Sequence, residues 1–194
     1  SSAEMEEILA TEGCAAVEIA GINSPNSITL AGAVGELDYL RTVMRSRGVV
    51  FKLLDLDYAF HSAAMDQIKE TLLNSLVELE VRQSSTISFV STVTGNLVEG
   101  AALDAQYWWQ NVRLPVRFAA AMQNLVVLGC RVFIEIGPHA ILQRYMNECL
   151  GAAGVVGRVM PTLRKGHDGW GNVEEAILRT HMICDSGRLE SFFP

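Results

Sequence analysis

Apolar residues recur along this chain in two rhythms, and these divide it into helices and strands. Residues 3–11 place Met5, Ile8 and Leu9 on one helical face, with Gly13 to end it. Residues 15–20 alternate in the strand manner, with Val17 and Ile19 facing one way. Asn23-Ser24-Pro25-Asn26-Ser27 is a turn cluster and residues 28–31 read as a second strand, so 15–31 is predicted as a hairpin. A helix over 36–47 carries Leu37, Leu40, Val43 and Met44 on one stripe, Gly48 closes it, and 49–54 reads as a third strand. The order α-β-β-α-β is a ferredoxin-like βαββαβ unit lacking its first strand. The opening Ser1-Ser2-Ala3-Glu4 accordingly reads as a cut in mid-sequence.

Residues 62–80 are predicted as one amphipathic helix, with Met65, Ile68, Leu72, Leu76 and Leu79 at three-four spacing. A β-rich run over 86–92 leads into the turn Thr94-Gly95-Asn96. Residues 105–109 form a short helix. A longer one over 116–128 turns Val116, Ala120, Leu125 and Leu128 inward and stops at Gly129. A buried strand over 131–136, the sharp turn Gly137-Pro138-His139, a helix over 141–150, a strand over 155–160 and a helix over 174–183 follow. This alternation is that of α/β domains with a parallel sheet. There is no internal repeat and no low-complexity segment.

Composition narrows the function classes. With 194 residues, 49% hydrophobic and 19% charged, the chain has material for one domain or two small lobes around a core. A net charge of -7 argues against nucleic acid as a partner, because an acidic surface gains nothing from phosphate neutralisation. The four cysteines, Cys14, Cys130, Cys149 and Cys184, form no C-x-x-C pair and stand at no metal-ligand spacing from a histidine; the expectation is a reducing, cytoplasmic protein. No apolar run approaches the roughly 18–20 residues of a membrane span, and no secretory signal opens the sequence.

Among candidate reactive groups, His61 stands first. It follows a predicted strand and loop and precedes a helix that Ser62 is suited to cap. That is a place for a general base, or for a histidine that merely bonds a backbone carbonyl. His139, after Gly137-Pro138, is open to the same two readings, with a turn residue held by proline the favoured one; His167 and His181 read as surface. No G-x-S-x-G elbow, Walker A motif or G-x-G-x-x-G occurs. Trp108-Trp109 reads as a core anchor ahead of a stacking surface, and Cys14 and Cys130 as small core residues. Arg113 and Arg117 flank Leu114-Pro115-Val116; they either grip a carboxylate or brace the loop, and bracing is favoured.

Five blocks taken together resemble the acyltransferase domain of type I polyketide synthases, with animal-type fatty acid synthases as relatives. They are Tyr58-Ala59-Phe60-His61-Ser62; Phe89-Val90-Ser91-Thr92-Val93-Thr94-Gly95; Tyr107-Trp108-Trp109-Gln110-Asn111-Val112-Arg113-Leu114-Pro115-Val116-Arg117-Phe118; Phe133-Ile134-Glu135-Ile136-Gly137-Pro138-His139; and Leu163-Arg164-Lys165-Gly166. The resemblance covers residues 1–165, and implies an α/β chain: a partial ferredoxin-like small lobe over 1–54, the C-terminal part of an α/β-hydrolase-like acyltransferase lobe over 55–165, and a linker region over 166–194. It implies ping-pong transfer of an acyl group from coenzyme A, through a serine ester, to the phosphopantetheine thiol of an acyl carrier protein. It also implies His61 as general base, oriented by the backbone carbonyl of Asn111, and no cofactor resident in this domain.

In that family the G-H-S-x-G serine, an oxyanion-hole glutamine and a carboxylate-binding arginine precede the region matched here. The expectation is that this chain carries the base without the nucleophile and is inactive alone. The implied partners are malonyl-CoA, the acyl carrier protein, neighbouring synthase domains and the N-terminal half of the acyltransferase domain, with no nucleic acid and no membrane. Tyr58 and Phe60 are implied to line the acyl pocket. A phenyl ring at position 60 fills the space of an α-methyl where serine leaves it open, so malonyl is the expected extender. Two rival readings are a discrete malonyl transferase of fatty-acid synthesis and a non-catalytic docking or scaffold module for the carrier protein.

Overall fold

The computed structural model describes residues 1–54, 56, 58–83, 87–163, 166 and 169–184, residues 183 and 184 without their side chains. It divides into two compact units, Ser1–Asn124 and Leu125–Pro194.

The first unit opens with α1 (Ser2–Thr11), whose N-terminus is closed by a reciprocal capping box between Ser1 and Glu4. The hairpin follows as β1 (Val17–Ser24) and β2 (Ser27–Gly32), antiparallel, with Val17 opposite Gly32 and Ser24 opposite Ser27. Helix α2 (Val34–Ser46) packs Leu40 against Cys14 and Val17, and Ile8, Leu9, Leu30, Leu37 and Phe51 surround that core. The sequence rhythm therefore finds the α-β-β-α order. The expected strand over 49–54 is not formed: these residues pair with no strand among the described residues, and Val50 is 94% exposed. An alternating pattern supplies the side chains of a strand, but the ladder needs a neighbour to accept its hydrogen bonds.

The expected single helix over 62–80 is also broken. Ser62 caps a 3₁₀ turn, Ala63–Ile68, and only then does α3 (Lys69–Ser75) begin. Met65 at the front of the stripe is buried, whereas Val77 and Leu79 at its end are exposed. An amphipathic stripe without a surface to cover it does not sustain a short helix. The run from 86 becomes a single bridge, Val90 to Leu97 (Thr86 itself lies outside the described residues). Around it, Ser91 donates its amide to the Asn96 carbonyl at 2.8 Å, and its buried hydroxyl meets the Tyr107 hydroxyl at 2.7 Å. After a second 3₁₀ turn, Gly100–Ala102, come α4 (Ala105–Arg113), capped by the Asp104 carboxylate, and α5 (Phe118–Val127). Trp109 is buried in α4 under the Lys69 ammonium, 5.8 Å from its ring centre, while Trp108 is partly exposed. Gly95 has a φ of +77°, and a β-carbon there would lie 2.7 Å from the Ala120 methyl, so the turn presses against α5.

The second unit is a β-α-β element. Strand β3 (Val132–Glu135) runs parallel to β4 (Arg158–Pro161), joined through α6 (Gln143–Ala152), and α7 (Gly169–Cys184) follows. The strand expected to be buried alternates instead: Phe133 and Glu135 are inside, and Ile134 lies on the exposed face. The parallel strands, the only such pair among the described residues, make this an α/β fold as expected. His167, and Arg164 and Lys165 of the fifth block, lie outside the described residues.

Candidate active site

His61 has a φ of +64°, the left-handed region that costs a non-glycine residue about 1–3 kcal/mol unless its surroundings hold it there. Its surroundings do hold it. The His61 amide donates to the Val112 carbonyl at 3.0 Å, and the ring Nδ1 lies 2.9 Å from the Leu114 carbonyl oxygen. Immediately afterwards the buried Ser62 hydroxyl donates to the Ala59 carbonyl at 2.7 Å and accepts from the Ala64 amide at 3.3 Å. A carbonyl oxygen only accepts, so Nδ1 carries a proton. In the neutral ring this leaves Nε2 with the lone pair, which is the tautomer a base needs.

The carbonyl that meets Nδ1 is thus Leu114's, a correction to the expectation at Asn111. The reason lies in how α4 ends. Leu114 caps the helix in an extended conformation (φ -85°, ψ 155°), and Pro115 follows it. The helix ladder stops and the Leu114 carbonyl swings free of the helix axis. Strand β1 then fixes the segment: the Val116 amide donates to the Ala20 carbonyl at 2.9 Å, and the Ile22 amide to the Val116 carbonyl at 2.8 Å.

The two arginines separate. Arg113 is a brace: its guanidinium bonds Glu18 of β1 at 3.1 Å and Asp66 of the 3₁₀ turn at 2.9 Å. Arg117 is exposed and donates its amide to the Thr92 carbonyl at 2.7 Å. Tyr58 and Phe60 stack edge to face, 4.8 Å between centres and 72° between planes, and the Phe60 ring centre is 6.3 Å from that of His61. Both aromatic residues are substantially open, Tyr58 at 57% and Phe60 at 43%. They form an apolar wall beside the histidine.

In the second unit, the buried Glu135 carboxylate accepts from the Ile141 and Leu142 amides at 2.7 and 2.8 Å through one oxygen. His139 is exposed, and its ring has no hydrogen-bond partner among the described residues. Glu18 was not singled out by sequence; it reaches a partner 45 residues away and another 95 residues away, and no local pattern encodes that.

The family profile described as the acyl transferase domain matches residues 2–185. Polyketide synthase GfsE of Streptomyces halstedii is 37% identical over 153 residues, which are 79% of this chain and 4% of that protein. The acyltransferase domain from module 8 of the salinomycin polyketide synthase superposes with a TM-score of 0.86 at 29% identity, over 91% of this chain and 41% of that one. The acyltransferase domain of SpnD, solved in complex with 2-(pent-4-yn-1-yl)malonyl, has a TM-score of 0.75 at 33% identity over 84% of this chain and 40% of that one. The chain therefore spans less than half the length of these solved domains and a small fraction of the synthase.

Proposed function

Since the chain belongs to the acyltransferase domains of type I polyketide synthases, we propose that it contributes the general base and part of the acyl pocket to a transferase that loads malonyl groups onto an acyl carrier protein. The observation that carries this reading is the Nδ1 to Leu114 carbonyl bond, which leaves Nε2 to accept a proton.

In the proposed reaction Nε2 of His61 takes the proton of a serine hydroxyl as that oxygen attacks the malonyl thioester carbonyl. The imidazolium, held by the Leu114 carbonyl, returns the proton to the departing coenzyme A thiolate. The phosphopantetheine thiol of the carrier protein then gives its proton to Nε2 and attacks the serine ester; the acyl–oxygen bond breaks, the imidazolium returns the proton to the departing serine oxygen, and the malonyl group is left on the carrier thiol. The serine belongs to residues outside this chain, which has no G-x-S-x-G elbow. Its proposed partners are therefore the remaining part of the acyltransferase domain, the carrier protein and the neighbouring synthase domains, in the cytoplasm. Among the described residues no helix is long and apolar enough to cross a membrane. No resident cofactor takes part in these steps.

The Tyr58–Phe60 pair beside His61 supports a preference for malonyl: if these rings line the acyl pocket, a phenyl ring at 60 takes the room that an α-methyl would need. The α1-β1-β2-α2 order supports a ferredoxin-like small lobe over 1–54; a large lobe over 55–165 and a linker over 166–194 rest on the family resemblance alone.

Two measurements test the reading. Intact-mass analysis of this chain with malonyl-CoA is expected to give no covalent adduct, and adding the serine-bearing part of the domain is expected to place the adduct there. An adduct on this chain alone would overturn the assignment. In the assembled domain, Phe60→Ser is expected to move the malonyl to methylmalonyl ratio by about tenfold or more toward methylmalonyl. An unchanged ratio would remove Phe60 from the pocket.

A further inference from the structure

The left-handed conformation of His61 persists only while two pieces of backbone keep their spacing: the loop that carries the histidine, and the end of α4 that supplies its carbonyl acceptors. One carboxylate ties these two pieces together. Glu18 projects from β1, and its Oε1 accepts from the Ala63 amide at 2.5 Å, two residues beyond the histidine. Its Oε2 accepts from the Arg113 guanidinium at 3.1 Å. Arg113 is the last residue of α4, between Val112 and Leu114, whose carbonyls receive the His61 amide and ring. From its other side the Arg113 Nε donates to Asp66 at 2.9 Å, within the turn that Ala63 opens. The carboxylate thus closes a circuit from loop to strand to helix end and back to the loop. Both of its oxygens are used: one bond runs to the loop two residues beyond His61, the other to Arg113, which stands between the two residues whose carbonyls His61 meets.

We propose that Glu18 is a positioning residue for His61, holding the loop amide and the α4 terminus at the spacing that keeps the ring Nδ1 on the Leu114 carbonyl. It touches no reacting atom. It acts through the backbone on both sides of the base, and it makes β1 part of the active-site frame. The inference rests on the reading of His61 as general base for its functional meaning, but its geometry can be tested without any acyl transfer.

The test is nitrogen-15 NMR of this chain, with the His61 ring signals assigned by their loss in His61→Ala. The wild-type neutral ring is expected in the Nδ1–H form. Glu18→Ala is expected to lower the ratio of Nδ1–H to Nε2–H by about tenfold and to speed exchange of the Ala63 amide by a similar factor, the scale of one charge-assisted bond. The ring signals of His139 and His181 stay in place. In Glu18→Gln the side-chain carbonyl still accepts from Ala63, but the NH2 that replaces the second oxygen cannot accept from Arg113; Ala63 amide protection is therefore expected to recover while the tautomer ratio stays near that of Glu18→Ala, a split that simple loosening of β1 does not produce. Should Glu18→Ala fail to fold, Arg113→Lys keeps the charge but loses the two-sided grip, and is expected to shift the tautomer in the same direction. A His61 tautomer ratio unchanged in whichever of these variants folds overturns the proposal. Loss of positioning in this test while His61→Ala retains acyl transfer in the assembled domain would instead overturn the reading of His61 as base.

Discussion

Two strand carboxylates in this chain each hold a loop that carries a histidine, and the two loops end up in opposite conditions. Glu18 of β1 grips the amide of Ala63 with one oxygen and Arg113 with the other. The histidine beside it is half-buried, strained in backbone and bonded through both its amide and its ring. Glu135 of β3 grips two amides with one oxygen, while its second oxygen is buried with no partner among the described residues. The histidine of that loop, His139, lies open to solvent. Both histidines sit in loops that run into a helical turn. What separates them is the support: independent elements fix both the backbone and the ring of His61, as its proposed role of base requires, whereas beside His139 the carboxylate fixes the backbone alone.

The largest expected contrast is in chemistry. In the assembled acyltransferase domain, His61→Ala is expected to lower kcat/KM for malonyl transfer by about 10²–10⁴-fold, the usual contribution of a general base, while His139→Ala leaves it nearly unchanged. Steady-state transfer to a carrier protein reads both. Equal losses would break the comparison.

Stability should show the reverse order. Glu135→Ala leaves the Ile141 and Leu142 amides without their acceptor inside the second unit, and is expected to cost about 2–3 kcal/mol in chemical denaturation. Glu135→Gln keeps the accepting oxygen and is expected to recover much of that loss. In the first unit Gly95→Ala forces a β-carbon to within 2.7 Å of the Ala120 methyl at a positive φ, and should cost about 1–3 kcal/mol. A Gly95→Ala protein with unchanged denaturation would show that the second block does not anchor α5.

Thiol reactivity sharpens the contrast between the cores. Burial pushes the Cys14 thiol up, with Glu36 and Glu12 adding to the effect. Burial does the same for Cys149, where Glu148 contributes. A raised thiol pKa in the folded state means less thiolate near neutral pH, so both should alkylate more slowly than the part-exposed Cys130. Rates followed by mass spectrometry from pH 7 to 9 are expected to converge only when denaturant is added. The smallest effect is His139→Ala on stability, within about 0.5 kcal/mol, because an exposed ring without hydrogen-bond partners among the described residues has little to lose.

How much of this was legible in the sequence differs by level. Periodicity and punctuation located α1, the β1–β2 hairpin, α2, α5 and the β3-α6-β4 element, because each is specified by contacts close along the chain or by a local stop such as Gly13, Gly48 or Gly129. Five short blocks sufficed for the family, and His61 stood out as a histidine before a capped turn. Three things were decided only by tertiary structure. Residues 49–54 have the residues of a strand but no neighbour to pair with among the described residues, and a ladder is a property of two segments. The helix expected over 62–80 stops short because the outer part of its stripe has nothing to cover. The acceptor of the His61 ring is Leu114 in place of Asn111, because a proline ends α4 and β1 pins the freed segment from nearly a hundred residues away in sequence. The sequence by itself determined which side chains were present and their local conformational preferences. Where the ring of His61 points, and what holds it there, came from hydrogen bonds between segments that only the folded chain brings within 3 Å of one another.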